Sequence, residues 1–187
     1  MLKNHQETLE KEHQPEAIAV RLNQQPKTQN VSDAILGAID GCVTTFAIVA
    51  GAIGAGFSAS VALILGFANL FADGFSMAIS NYEANKAQSE FIANVRKTEE
   101  EHIQKVPEGE KEEIRQIFQR KGFEGETLEK IVTTITQNTT LWVDTMLMEE
   151  HGIQPQNSSA IKAAVTTFTA FVLVGAVPLI PFLITAS

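Results

Sequence analysis

The sequence predicts an all-α, polytopic membrane protein with three transmembrane helices and a cytoplasmic helical insert. Charge segregation along the chain and three long apolar segments support this prediction. Residues 31–82 are almost uncharged, residues 83–151 are densely charged, and residues 160–187 are apolar again. This segregation is typical of a membrane protein with a soluble insert rather than of one uniform globular domain.

The first two predicted spans run from Ala34 to Phe57 and from Val61 to Ile79. A helix that crosses a bilayer needs about 20 apolar residues, and both segments reach that length. The alternative is a pair of buried core helices, because Gly and Ala lower the hydrophobicity of both segments. Asp40 in the first span and Asp73 in the second are costly to hold in hydrocarbon, so a functional role is the default explanation for both.

The two ends of the chain differ in character. The third predicted span begins at Ala160, and neighbouring helices in a membrane can satisfy the carbonyls that Pro178 and Pro181 leave free. Residues 1–30 form a polar leader. Within it, residues 16–22 are predicted to form a short amphipathic helix on the membrane surface, with disorder at both ends of the leader.

The charged insert, residues 83–152, is predicted to be helical. The second span is expected to continue beyond the membrane as one long helix to about Val106, because no Gly or Pro interrupts it before Pro107. Apolar periodicity and terminal glycines predict three further helices over residues 108–121, 126–137 and 141–151.

The distribution of positive charge predicts the orientation in the membrane. Lys86, Arg96 and Lys97 flank the insert side of the second span, and Lys and Arg also precede the first span. The turn between the two spans carries no charge. The N-terminus and the insert are therefore predicted to lie in the cytoplasm.

Composition excludes several classes of function. The chain has 187 residues and a formal net charge of −8, and its charge clusters form no basic surface interleaved with aromatic residues. Nucleic acid is therefore not an expected partner. The only cysteine is Cys42, inside the first span, so neither a disulfide framework nor a thiolate zinc site is expected.

The second span carries a polar stripe that suits a metal ion. Asn69, Asp73 and Met77 are spaced four apart and lie on one face of the helix. A carbonyl oxygen, a carboxylate and a thioether suit a divalent transition metal of intermediate softness. Interhelical hydrogen bonding by Asn69, with Met77 as packing, is the alternative. Asp40 on the partner helix favours a transport path made of Asp40, Asp73 and Met77.

The insert contains a second cluster of metal-ligating residue types. Two pairs spaced three residues apart, Glu99 with His102 and Glu110 with Glu113, each share a helix face, and the turn at Pro107 would bring the two faces together. The last insert helix adds a thioether and a carboxylate, and this donor set suits a first-row metal. A solvated acidic face and a core role for Met146 are the alternatives. The candidate metal ligands are Glu99, His102, Glu110, Glu113, Met146 and Glu150.

Five blocks of the sequence resemble one family. The blocks are DAILGAIDGCVTTFAIVAGAIGAG, ANLFADGFSMAISNY, the acidic helix pair, LWVDTMLMEEHGI and GAVPLIPF. Together they are similar to the vacuolar iron transporter family, also called VIT or CCC1-like, over about residues 31–182. Because the blocks occur in the order that the family has, the resemblance is specific.

The resemblance implies a fold and an activity. Members export Fe2+ or Mn2+ from the cytosol, in exchange for protons, as dimers whose subunits have five spans and a cytoplasmic helical metal-binding domain. The in-membrane acid and methionine of the family match Asp40 and Met77. The cytoplasmic ligands match five of the insert residues, and His102 stands where the family has a glutamate. Here the insert, residues 83–152, corresponds to the metal-binding domain.

The leading hypothesis is therefore an Fe2+ or Mn2+ transporter, not an enzyme, with the ion as cargo rather than cofactor. Membrane lipid and a second copy of the chain, in a homodimer, are the expected partners, in a bacterial inner membrane or a vacuolar membrane. One alternative is a membrane-anchored di-metal carboxylate oxidase, because Glu99-x-x-His102 resembles half of the paired motif in ferritin-like bundles. Another is a metal buffer or sensor without transport.

Length is the main departure from the family pattern, since the sequence contains three predicted spans rather than five. We expect a fragment, the product of a truncated gene or a natural short form. If the protein ends at Ser187, metal binding by the insert is expected to survive, whereas transport by the route of the family is not assured.

Overall fold

The computed structural model describes residues 2–23, 28–154 and 159–185, and every regular element in these ranges is helical. In chain order the helices are α1 (Leu2–Glu12), α2 (Pro15–Asn23), α3 (Thr28–Gly54), α4 (Ala59–Lys105), α5 (Pro107–Arg120), α6 (Gly125–Thr136), α7 (Thr139–Glu149), α8 (Ala160–Gly175) and α9 (Ile180–Thr185). The all-α prediction is confirmed.

Three helical segments are long and apolar enough to cross a membrane. They are Asn30–Gly54, Ala59–Lys105 and Ala160–Ile184, within the residues that the structure describes. This agrees with the prediction of three apparent transmembrane helices. The chain divides into two compact units, which we call the membrane unit (Met1–Gly74 and Thr166–Ser187) and the insert unit (Phe75–Val165).

Helix α4 carries the second predicted span and continues far beyond it. Its 47 residues form one unbroken helix from Ala59 to Lys105. A span needs only about 20 residues, so the remainder of α4 belongs to the charged insert. The predicted continuation of this span as one long helix is therefore confirmed.

The prolines of the third apolar segment change its helix type. Helix α8 ends at Gly175, a short 3-10 helix covers Val177–Leu179, and α9 follows from Ile180. Pro178 lies in the 3-10 helix, where its missing N–H and fixed φ interrupt the α-helical hydrogen-bond pattern. The prolines thus interrupt the α-helical hydrogen bonds, and the chain continues as a 3-10 helix and then as α9.

The leader is more helical than the sequence predicts. Disorder was expected at both ends, but α1 covers Leu2–Glu12, so the expectation was wrong there. Helix α2, Pro15–Asn23, contains the predicted helix of residues 16–22. At the other end of the leader, residues 24–27 lie outside the described residues, and residues 28–30 already belong to α3, so the expectation of disorder is wrong for them as well.

Small residues allow close packing of helices in the membrane unit. A Cβ atom on Gly37 would overlap the backbone carbonyl of Thr167, and one on Gly41 would overlap that of Phe171. Helices α3 and α8 therefore cross almost backbone to backbone. This is the role that the spacing of Gly37 and Gly41 allows in a bilayer. Phe171 fills the adjoining space and is fully buried.

The insert unit has a hydrophobic core of its own. Helices α5, α6 and α7 contribute one cluster of buried side chains: Ile114, Leu128, Val132, Ile135, Trp142 and Met146. A second cluster joins α7 to α4 through Val143, Leu147 and Ile153, against which Ile92, Val95 and Ile103 pack. The acidic residues of the insert are thus mounted on a packed helical scaffold.

Candidate metal centre

The last turns of α4 and the first turn of α5 bring three candidate ligands together. Glu99 and His102 lie on one face of α4, three residues apart. Pro107 then starts α5, a position where its missing N–H costs nothing. The Glu110 backbone N–H donates to the Val106 carbonyl at 3.2 Å, which closes the first turn of α5.

The ligand atoms of Glu99, His102 and Glu110 all lie within 4.8 Å of one another. Nδ1 of His102 is 3.4 Å from Oε1 of Glu110. The sequence predicted this convergence from the two pairs of side chains and the proline between them. The spacing is that of atoms that could surround one divalent ion after small side-chain adjustments.

The C-terminal end of α7 supplies a second group of ligand atoms. Gly152 has a positive φ of 65°, which turns the chain after α7. The Ile153 N–H then donates to the Leu147 carbonyl at 2.8 Å, and Ile153 returns to the core. His151 is held beside α4 by this turn. The ligand atoms of Glu99, Glu150 and His151 also lie within 4.8 Å of one another.

The two groups share Glu99, which is almost completely buried. Glu99 and Glu110 are only 4% and 3% exposed. The Oε2 atom of each is buried and has no hydrogen-bond partner. Carboxylate oxygens in such positions are costly, since burial removes water without supplying a replacement. A bound cation would supply that missing partner.

The electrostatics of the cluster also favour a cation. Burial, followed by the negative charges of Glu113 and Glu99, raises the pKa of Glu110 to about 7. Burial also raises the pKa of Glu150, with the charge of Glu113 as the next cause. The carboxylates repel one another when ionised, so a divalent ion would stabilise the ionised forms.

The remaining two predicted ligands of the insert have different surroundings. Glu113 is exposed, and its charge acts on both Glu110 and Glu150. Met146 is fully buried in the hydrophobic cluster with Ile114 and Trp142. It lies on α7, four residues before Glu150, which follows the last residue of that helix. The Met146 thioether therefore packs in the hydrophobic core, and this packing role is independent of any role as a metal ligand.

Sequence reasoning missed His151. The predicted helix over residues 141–151 includes His151, but α7 ends at Glu149, so helix periodicity does not give the position of this imidazole. Its position depends on the turn at Gly152, not on a helical face. The adjoining letters EEHG carried the signal: a second imidazole next to Glu150, directly before a glycine that can end a helix.

The three predicted path residues in the membrane segments, Asp40, Asp73 and Met77, are each partly buried. Near Asp40, the Thr44 hydroxyl donates to the Asp40 backbone carbonyl at 2.8 Å. The Asn69 amide then donates to Thr44 Oγ1 at 3.2 Å and to Thr45 Oγ1 at 3.4 Å. Asn69 thus links α4 to α3, as its alternative interpretation held.

The amino-acid sequence is similar to those of proteins from one family. The VIT family model matches residues 31–187. The chain is 35% identical over 155 residues to "Vacuolar iron transporter 1" of Arabidopsis thaliana, which covers 82% of this chain and 62% of the relative. It is 36% identical over 154 residues to "Vacuolar iron transporter 1" of Eucalyptus grandis, again covering 82% and 62%.

A third relative gives a similar result. The "Vacuolar iron transporter" of Plasmodium falciparum is 33% identical over 154 residues, which cover 80% of this chain and 56% of the relative. The chain therefore spans about six tenths of the length of these relatives. All three are named as transporters, which supports a non-enzyme and not the oxidase alternative. The match covers the membrane segments and the acidic insert alike, and on this basis the chain belongs to the VIT family.

Proposed function

We propose that this protein is a metal ion transporter that moves Fe2+ or Mn2+ out of the cytosol. The observation that carries the proposal is the pair of buried carboxylates, Glu99 and Glu110, each with one oxygen that lacks a partner. Vacuolar iron transporters are the named relatives, which supports a transported cation as the missing partner.

In this proposal the insert collects the ion on the cytoplasmic side. Glu99, His102, Glu110, Glu113, Met146 and Glu150 form the proposed receiving site. Carboxylates dominate the set, and one imidazole and one thioether make it suitable for a first-row divalent ion rather than for Ca2+ or Mg2+. The insert, residues 83–152, is thus the metal-binding domain of the proposal.

The ion would then pass along the membrane segments. Asp40, Asp73 and Met77 are the proposed path, in a homodimer within a vacuolar or bacterial inner membrane. Proton exchange is part of this proposal, and Glu110, whose pKa is raised to about 7, would be partly protonated near neutral pH before the ion binds. Metal binding would expel that proton, so the metal and the proton compete for one group.

The first prediction tests the receiving site. Glu99→Gln with Glu110→Gln should remove most of the Mn2+ affinity of the chain in detergent micelles, with a loss of about a hundredfold or more, since Gln is a much poorer ligand than a carboxylate. Quenching of Trp142, the only tryptophan and part of the insert core, would measure binding.

The matched control changes the same charge on exposed residues. Glu108 and Glu112 lie on α5 and pair with Lys111 and Arg115. The Glu108→Gln, Glu112→Gln variant should keep the Mn2+ affinity within about threefold. Water and salt screen the interaction of an exposed charge with an ion at the site. Equal losses in the two double variants would show that overall charge, not the buried pair, binds the ion.

The second prediction tests the path. Asp40→Asn should stop Mn2+ flux into reconstituted vesicles while leaving binding by the insert unchanged, because the amide keeps the shape but not the charge that a cation needs. Cys42→Ser, two residues further along α3, is the control and should retain flux. Normal flux in the Asp40→Asn vesicles would assign Asp40 a structural role.

A further inference from the structure

His151 lies outside the six proposed ligands yet contacts their buried centre. Its Nε2 atom is 3.0 Å from Oε1 of Glu99 and 3.7 Å from Oε2 of Glu150. The imidazole is therefore placed between two carboxylates on different helices, α4 and the end of α7. About a third of the side chain is exposed, so solvent and ions can reach it.

A purely structural role would explain only part of this arrangement. A hydrogen bond from His151 satisfies Oε1 of Glu99, but the buried Oε2 of the same carboxylate keeps no partner. A structural pair would normally satisfy such an oxygen as well. A cation placed among Glu99, Glu150 and His151 would contact all three ligand atoms, which already lie within 4.8 Å of one another.

Glu99 also gives the two ligand groups a common centre. It belongs to one group with His102 and Glu110 and to a second group with Glu150 and His151. The imidazoles of His102 and His151 thus belong to two groups that share one buried carboxylate. The donor set is therefore richer in nitrogen than the six proposed ligands alone.

We propose that His151 is a ligand of the bound divalent ion, through Nε2, together with Glu99 and Glu150. This proposal rests on the insert being a metal-binding site, as proposed above. Imidazole suits Fe2+, Co2+ and Ni2+, whereas an all-oxygen set suits Mn2+. A second imidazole therefore shifts the preference of the site away from Mn2+ and toward Fe2+ and Co2+.

The sequence permits a direct test, because it contains only four histidines. His5→Gln, His13→Gln and His102→Gln together leave His151 as the only imidazole of the full chain, which is purified without a polyhistidine tag. The probe is Mn2+ bound to the chain in micelles, examined by pulsed electron paramagnetic resonance. Hyperfine coupling to imidazole nitrogen is expected, and it should be absent when His151→Gln is added.

The outcomes separate this proposal from the metal site itself. Bound Mn2+ without nitrogen coupling in the chain whose only histidine is His151 would overturn the ligand role and leave the metal site intact. Failure of the unsubstituted chain to bind Mn2+ would overturn the metal site and this proposal together. Coupling that persists without any histidine would also overturn the assignment.

Ion preference provides a second readout. His151→Gln should weaken Co2+ binding by about tenfold and Mn2+ binding by much less, so the ratio of the two affinities falls. His13→Gln is the control, since His13 is exposed on the leader and contacts the Leu9 carbonyl. An equal loss for both ions in His151→Gln would show that the imidazole only orients Glu99, and would overturn the proposal.

Discussion

Glu99 and Glu110 differ from the other acidic residues of the insert in their surroundings. Exposed acids such as Glu101 and Glu129 pair with Lys105 and Arg115, and those hydrogen bonds hold the pKa of each carboxyl below its usual range. Glu110 shows the opposite shift, with its pKa raised to about 7 by burial and by neighbouring carboxylates. A buried carboxylate whose charged form is destabilised by its surroundings is typical of a binding site.

The raised pKa of Glu110 predicts how stability depends on pH without metal. The folded chain holds a proton on Glu110 between about pH 4.5 and 7, whereas the unfolded chain does not. This contribution is fully present below pH 4.5 and is lost as the pH rises through 7. The free energy of unfolding should fall by at most about 3 kcal/mol over that window. Denaturation in chelator, followed by Trp142 fluorescence, measures it.

Two variants check the assignment of this pH dependence. Glu110→Gln removes this titrating group and should weaken the dependence, leaving the smaller part that the raised pKa of Glu150 contributes, so the variant gains stability relative to the parent chain as the pH rises to 8. Glu108→Gln changes an exposed acid on the same helix and should leave the dependence unchanged. A parent chain that gains stability from pH 5 to pH 8 would contradict the prediction.

The sequence predicts the positions of ligands that depend on helical periodicity, but not of those that depend on the conformation of a turn. The sequence placed Glu99, His102 and Glu110 together, because helical spacing and Pro107 act locally. His151 could not be placed in the same way, since its position depends on the positive φ of Gly152 and on Ile153 packing into the core. The pairing of α3 with α8 also required tertiary contacts that no spacing specifies.

The crossing of α3 and α8 predicts a large effect from a small substitution. Gly41→Ala would place a Cβ atom against the Phe171 carbonyl, and neither backbone can move easily. The expected cost is about 1–3 kcal/mol, as for other overpacked sites. Thermal unfolding of the chain in micelles, followed by circular dichroism, should show a lower midpoint.

Gly51→Ala is the matched control within α3. A Cβ atom at Gly51 would meet no atom within 4 Å. Alanine should therefore keep the midpoint or raise it slightly, because it loses less backbone entropy than glycine in a helix. If both alanine variants had the same midpoint, the close crossing would not contribute to stability.

The whole chain combines almost uncharged spans with a charged insert, and this separation predicts its orientation. Lys86, Arg96 and Lys97 predict that the insert lies on the cytoplasmic side and that the chargeless turn between α3 and α4 faces the opposite side. Single cysteines at Ser58 and Glu108, both exposed, test this in a Cys42→Ser chain. The variants are expressed in a bacterial host, and an impermeant thiol reagent is added to intact spheroplasts. The reagent should modify Ser58→Cys, and it should leave Glu108→Cys unmodified until the membrane is opened. Cytoplasmic metal collection requires that order of labelling, so modification of Glu108→Cys in intact cells would place the metal centre on the wrong side and exclude export from the cytosol.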